Sequence, residues 1–251
     1  MLQIMVLKTG IHVISYLSAM DVIEKWARLG ESRYICAANV HTIMDAYDSP
    51  EFMRVISQAD LVVPDGMPLV WIMRAKGQRR QTRVYGPTLM LHVLEAAARE
   101  NLSVGFYGSK PEVLNALIKR MQARYEGLRV VFSCSPPFRE MSRTEDLTII
   151  EQINQSGARI LFVGLGCPKQ EIWMADHRSK VKAVMIGVGA AFDFHAGIKP
   201  QAPMWMQKIG LEWLFRLFTE PRRLWKRYLY HNPRFVFLAV ADLLGLLKKA
   251  D

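Results

Sequence analysis

One feature constrains this chain more than any other: from Ile11 to about Gly189, short β-branched or apolar runs alternate with longer segments of helical period. Strand-length runs separated by amphipathic helices fold as α/β units, since each helix covers the sheet that its neighbouring strands build. The strand candidates are IHVIS (11–15), YICAA (34–38), LVVP (61–64), SVGFYG (103–108), RVVFS (129–133), RILFVG (159–164) and AVMIGVG (183–189). Several are apolar throughout, as parallel strands covered on both faces require. Helices are clearest over 88–100, 111–125 and 144–155, and Pro111, just after Gly108-Ser109-Lys110, suits a first helical turn. The rhythm predicts a mostly parallel sheet with flanking helices.

After Phe194 the apolar strands stop and an aromatic, arginine-rich stretch begins. A boundary near Gly197 to Pro200 separates an α/β domain over residues 1–198 from a helical appendage over 199–251. Pro221 can open a helix after Glu220, and Asn232-Pro233 is expected to break the chain before a last apolar helix. The appendage holds ten Lys/Arg against four Asp/Glu, so it carries +6 of the total +10. An anionic partner is expected there. Arg216, Arg223 and Arg227 are spaced by seven and four, which brings them near one face if helical geometry runs through Pro221. Interleaved Trp213, Phe215, Phe218, Trp225, Tyr228 and Tyr230 are rings of the kind that settle at a lipid headgroup boundary. A membrane surface is the first reading of this stretch and ordinary packing the second. Nucleic acid ranks third, because no recognised nucleic-acid module accompanies the charge.

The longest apolar run, Phe235 to Leu247, is broken by Asp242 and falls short of the roughly 18 residues a spanning helix needs. Three cysteines, Cys36, Cys134 and Cys167, fit neither a disulfide framework nor a zinc module, and point to a reducing, cytoplasmic compartment. No secretory leader is read at the N-terminus.

Three strand ends run into glycine: FYGSKPEV (106–113), FVGLGCPKQE (162–171) and IGVGAAFDF (186–194). Carboxyl ends of parallel strands form the ligand crevice, and glycine there lets backbone approach a phosphate beneath a helix N-terminus. Each turn read alone is equally well a turn; three together favour a nucleotide-type ligand. Gly164-x-Gly166 and Gly187-x-Gly189 begin a dinucleotide fingerprint, but Lys169 and Phe192 occupy the third-glycine positions, so a nicotinamide-dependent oxidoreductase is a rival only. A non-catalytic nucleotide-binding membrane protein is the other. No P-loop occurs, and Asp45 and Asp48 do not form the D-x-D pair that holds a metal-bound diphosphate, so neither metal nor other cofactor is expected.

Asp65, between the apolar run LVVP and Gly66, is the most informative carboxylate: it stands over the crevice as a base, or it is a turn or helix-cap residue. Asn39 and His41 stand near it if their strands are neighbours, or else cap the next helix. Asp193 could accept hydrogen bonds from a base or ribose, or serve a turn.

Taken together, AANVHTIMDA (37–46), ADLVVPDGMPLVW (59–71), VYGPTLM (84–90), GFYGSKPEVL (105–114), ILFVGLGCPKQEIWM (160–174), GVGAAFDFHAG (187–197), QAPMWMQKIGLEWLFRLFTEPRRLWKRYL (201–229) and NPRF (232–235) resemble the WecG/TagA/CpsF glycosyltransferases, family twenty-six, over nearly the whole chain. The resemblance implies a Rossmann-like domain and an inverting, metal-independent bacterial enzyme, peripheral on the cytoplasmic membrane face, that moves a sugar from a UDP-sugar to a polyprenyl-diphosphate-linked saccharide of the cell envelope. It implies Asp65 as general base with Asn39 beside it. The substrate residues it implies are Tyr85, Gly86, Gly108, Ser109, Gly164, Gly166, Lys169, Gln170, Gly189, Asp193, Arg216, Arg223 and Lys226. Ala37 stands where the family often has threonine. The sugar, the acceptor saccharide and the oligomeric state, a homo-oligomer included, stay open.

Overall fold

The structure is a computed structural model and describes residues 1–246, so the end of the appendage and of the apolar run that reaches Leu247 lie outside the described residues. The chain opens with β1 (Gln3–Val6) and β2 (Thr9–His12), then runs α1 (Tyr16–Leu29), β3 (Arg33–Ala38), α2 (Val40–Asp48), α3 (Pro50–Ser57), β4 (Leu61–Pro64) and α4 (Met67–Ala75). It continues through α5 (Gly86–Arg99), β5 (Val104–Gly108), α6 (Pro111–Arg124), β6 (Val130–Cys134), α7 (Arg143–Ser156), β7 (Ile160–Gly164), α8 (Lys169–His177), β8 (Val184–Gly187) and α9 (Ala191–His195). The appendage supplies α10 (Met204–Lys208), α11 (Glu212–Thr219) and α12 (Pro221–Leu243).

Strands β3 to β8 form one parallel sheet in the order β4-β3-β8-β7-β5-β6. The apolar strands explain the arrangement, because every residue of β4, β5 and β8 is buried. Successive residues serve opposite layers: Tyr34 joins a core with α2, α3, α4, α7 and α8, while Ile35 joins one with α1, α5, α6 and α9. The chain leaves β3 for the β4 edge, crosses to β5 and β6, and returns through β7 and β8 to the centre. Connections thus diverge around β3 and β8, and a crevice opens beyond the carboxyl ends there.

Two expectations are corrected. IHVIS is not a strand of the parallel sheet: Thr9–His12 pairs antiparallel with Gln3–Val6 across Leu7 and Lys8, with Leu7 at φ 55. Hairpin turns of this kind normally signal themselves with Asn or Gly, and this one does not. The hairpin covers the outer edge of the sheet, where the Val62 N–H donates to His12 Nδ1 at 2.9 Å. The second correction concerns Asn232-Pro233, which does not break the chain, since α12 continues through Pro233. Leu224, Tyr228, Phe235 and Ala239 are its buried residues, spaced by four, seven and four on one face. Phe235 and Ala239 enter the core containing α2 and α4, and Arg234 binds Asp48 bidentately at 2.7 and 2.8 Å. That packing offsets an interior proline's cost of about 3 kcal/mol. Among the described residues no helix is long and apolar enough to cross a membrane.

Candidate functional site

A polar pocket of ≈ 140 Å³ lies beyond the ends of β3, β4, β7 and β8. Parallel pairing of Ala38 with Pro64 brings Asn39 and Asp65 to adjacent strand ends, and the Asp65 N–H donates to the Ala38 carbonyl at 2.8 Å. Asn39 caps α2: its side chain accepts from the His41 and Thr42 N–H groups at 3.1 and 3.4 Å. The capping role weighed from sequence therefore holds, and Asn39 lines the pocket as well. Asp65 does not cap the helix that follows it. Its Oδ1 instead accepts from the Gly86 N–H at 2.7 Å, at the start of α5. Burial pushes the Asp65 carboxyl up, the Arg83 guanidinium pulls it back, and Glu212 raises it again, leaving a pKa of about 6.

Arg83 is the hinge of this wall. Its Nε donates to the Asp65 carbonyl, its Nη2 donates to Glu212 Oε2 at 2.6 Å, and its guanidinium lies 3.9 Å from the centre of the Tyr85 ring. The Tyr85 hydroxyl donates to Glu212 Oε1 at 2.8 Å. Glu212 is the first residue of α11, so two ordered contacts fasten this helix over the crevice at the strand ends.

Across the pocket, the Gly166 N–H donates to Gln170 Oε1 at 3.2 Å, and Gln170 Nε2 donates to Glu171 Oε1 at 2.9 Å. A Cβ at Gly187 would lie 2.8 Å from Met174 Cε and 3.0 Å from Gln170 Nε2, so these two side-chain ends of α8 rest against the strand end. Glu171 is 1% exposed; burial raises its carboxyl to about 7, and its Oε2 has no hydrogen-bond partner among the described residues.

The appendage closes the top. Arg216, Arg223 and Arg227 all line the pocket although they belong to two separate helices, and Arg216 lies 5.7 Å from the centre of the Phe194 ring. Arg216 Nε and Arg227 Nε are buried without partners among the described residues. Glu220 collects Arg223 at 2.7 Å and Lys199 at 2.9 Å; burial would raise its carboxyl, but these cations outweigh it and hold it at about 2.

Of the residues named from sequence, Asn39, Asp65, Tyr85, Gly86, Gly166, Gln170, Gly189, Arg216 and Arg223 line the pocket, and Ala37 does too. Six lie outside that lining. Gly108 and Gly164 make close packing: a Cβ on Gly108 would fall 2.6 Å from the Gly164 backbone, and one on Gly164 2.6 Å from the Phe192 ring. Ser109 has φ 63, and its carbonyl accepts from the Ser135 hydroxyl at 2.6 Å. Lys169 is exposed. Asp193 pairs with Lys199 at 3.1 Å, and the exposed Lys226 lies 5.6 Å from the centre of the Trp225 ring. Sequence motifs did not single out Arg83, Glu171 or Glu212. Glu171 was readable as a carboxylate on the face of α8 next to Gln170, whereas Arg83 and Glu212 acquire meaning only once the appendage folds back.

Beside this pocket His41, Asp45 and Cys167 bring donor atoms within 4.8 Å of one another. His41 Nδ1 and Asp45 Oδ1 are 3.2 Å apart without the alignment of a hydrogen bond, and His231 Nε2 of α12 lies 3.4 Å from the same oxygen. A second, mostly apolar cavity of ≈ 500 Å³ adjoins the polar one, between α4 and the helices α11 and α12.

Comparison with known proteins gives a consistent result. The sequence profile of the glycosyl transferase WecG/TagA/CpsF family matches residues 4–249. An N-acetylglucosaminyldiphosphoundecaprenol N-acetyl-beta-D-mannosaminyltransferase of Bacillus spizizenii is 30% identical over 204 residues, covering 81% of this chain and 77% of the relative. A protein of the same description from Bacillus subtilis is 28% identical over 229 residues, covering 87% and 86%.

Proposed function

The chain belongs to the WecG/TagA/CpsF glycosyl transferase family, and from that premise we propose that it moves a sugar from a UDP-sugar to a polyprenyl-diphosphate-linked saccharide, in one inverting displacement and without a metal. Membership replaces both rivals, the oxidoreductase and the non-catalytic binding protein. The observation that carries the reaction is the Asp65 carboxyl, with a pKa of about 6, in the wall of a pocket that three arginines also line.

The chemistry follows from that arrangement. The acceptor hydroxyl attacks the anomeric carbon from the face opposite the diphosphate; its proton passes to an Asp65 oxygen, and the bond from the anomeric carbon to the diphosphate oxygen breaks. A base with pKa near 6 is ionised at neutral pH yet still basic enough to take that proton. Gly86 N–H and Asn39 hold the carboxylate in place. Charge that develops on the departing diphosphate is met by the fixed charges of Arg216, Arg223 and Arg227, with no metal needed beside them; Arg223 Nε donates to Glu220, while the Nε–H groups of Arg216 and Arg227 have no partner among the described residues. The donor proposed is UDP-N-acetylmannosamine or another UDP-hexose, since the two relatives transfer an N-acetylmannosaminyl group, while Ala37 offers no hydroxyl in this pocket.

The appendage supports a place on the cytoplasmic face of the membrane. Trp205, Phe218, Trp225, Leu229 and Phe237 are exposed large apolar side chains on the appendage helices, which also expose Arg222 and Lys226. A screen of UDP-sugars against a polyprenyl-diphosphate-linked N-acetylglucosamine, with the anomeric configuration of the product read by NMR, tests the reading. Transfer with inversion supports it; transfer with retention, or none from any UDP-sugar, overturns it.

A further inference from the structure

The apolar cavity differs from the polar pocket in how its charge is distributed. Asp65, Arg83, Glu212, Arg216, Arg227 and His231 gather at the end it shares with the site. Away from that end its walls are uncharged: Trp71 and Ile72 of α4 face Phe235, Val236, Ala239 and Val240 of α12. Ile72, Phe235 and Ala239 are buried and form a floor, whereas Trp71 is 47% and Val240 51% exposed at the rim. The cavity is therefore an open-sided trough with a cationic head end and an apolar body. Its ≈ 500 Å³ falls within the roughly 300–1,000 Å³ typical of ligand pockets. A flat patch that merely touches a bilayer has no need of a second wall. Gly210 makes that wall possible, because at φ +75 it sits so close to Trp71 that a Cβ would lie 2.7 Å from the ring.

We propose that this trough holds the first isoprene units of the acceptor's polyprenyl chain, drawn out of the membrane along α12. The proposal rests on the reading of the acceptor given above. The occupant follows from the gradient: an amphiphile with a dianionic head and a hydrocarbon tail matches a trough whose head end is bordered by Arg216 and Arg227, guanidiniums that line both cavities and carry N–H donors enough for the donor's diphosphate and the acceptor's. Asp65 and Asn39 line both cavities, so a chain lying in the trough delivers its diphosphate-linked sugar to the base while the donor occupies the polar pocket. Nothing has to reorient between binding and reaction. The trough thereby selects a lipid-linked acceptor over a free saccharide that carries the same hydroxyl.

The test is photolabelling of the full-length protein with a diazirine-bearing geranylgeranyl diphosphate in the absence of any UDP-sugar, followed by peptide mapping. Labels on Trp71–Ile72 and on 235–243 are expected, with loss of about tenfold or more in Val240→Glu, since a carboxylate in the wall resists being desolvated against a hydrocarbon chain. UDP titration of Val240→Glu and of a second variant, Trp71→Ala, checks that each is folded. Labels confined to outward residues such as Phe218 and Phe237, or labelling of the trough that both variants leave intact, would overturn the proposal. Turnover is read separately. Trough labelling with no transfer from any UDP-sugar would sink the proposed reaction and leave the trough assigned, whereas transfer with labels elsewhere would do the reverse.

Discussion

Asp65 shows how much a single residue can disclose from sequence and where that stops. A carboxylate between an apolar strand and a glycine stands at a strand end, so its position over the crevice was legible, and so was the nearness of Asn39 once β3 and β4 pair. Its pKa was not legible, because it is set first by burial, then by Arg83, and then by Glu212 of α11, an environment that only the folded chain assembles. Replacing Asp65 with Asn should leave UDP affinity nearly unchanged and lower kcat by about two to four orders of magnitude, the usual worth of a general base; calorimetry and a transfer assay check both. Activity of the wild type should rise with pH through about 6 and then level off. Stability should move the other way. A carboxyl whose folded pKa is raised from 3.8 to about 6 binds its proton more tightly in the folded state, so it favours folding below the unfolded value and loses that contribution as pH rises through 6. Asp65→Asn should therefore melt higher than the wild type at pH 7.5, by an amount worth on the order of 1–2 kcal/mol for this half-buried group, and the gap should close by pH 4. A melting-temperature difference that stays constant from pH 4 to 7.5 would contradict the assignment.

At the scale of elements, the sheet strands were legible because parallel strands buried on both faces are written as uninterrupted apolar runs. The hairpin at the N-terminus was not, since Leu7 takes a positive φ with no glycine or asparagine to announce it. Pro233 misled for a different reason. Local propensity treats an interior proline as a helix end, but the buried face of α12 continues on both sides of it, and tertiary packing wins over propensity. Pro233→Ala is accordingly expected to stabilise the protein, by up to about 3 kcal/mol in a denaturant titration, because it removes the clash and restores a donor to the helix. A destabilised variant would mean that α12 depends on a bend at that point. The glycine turns divide similarly. Gly166, Gly187 and Gly189 border the pocket, while Gly108 and Gly164 are required by neighbouring atoms, a distinction that rests on the sheet order and not on the local motif.

At the scale of the whole molecule, the charge asymmetry read from sequence divides into two sets, to which two separable jobs are proposed. Arg216 and Arg227 turn inward to the pocket, while Arg222 and Lys226 face outward among exposed aromatic side chains. Reversing the outward pair, Arg222→Glu with Lys226→Glu, should weaken sedimentation with anionic vesicles by at least about tenfold, since each basic side chain near such a surface contributes on the order of 1 kcal/mol. Arg223→Ala should cost little vesicle binding yet lower turnover by about ten- to a hundredfold, the loss expected for one charge-assisted contact to a leaving group. Equal effects on both readouts would merge the two jobs. The appendage was legible as a basic aromatic helical stretch whose arginines reach toward the site, but the contacts that hold it there were not, because Glu212 reaches Arg83 and Tyr85 across more than 120 positions of sequence. The central claim is a metal-free sugar transfer driven by Asp65 beneath arginines of the appendage. The most direct measurement is transfer from the active UDP-sugar to a polyprenyl-diphosphate-linked acceptor, run in excess EDTA with wild type and Asp65→Asn side by side. Full wild-type turnover in the chelator with a loss of about a hundredfold or more in the variant is the predicted result; loss of wild-type turnover that magnesium or manganese restores, or an undiminished variant, would contradict it.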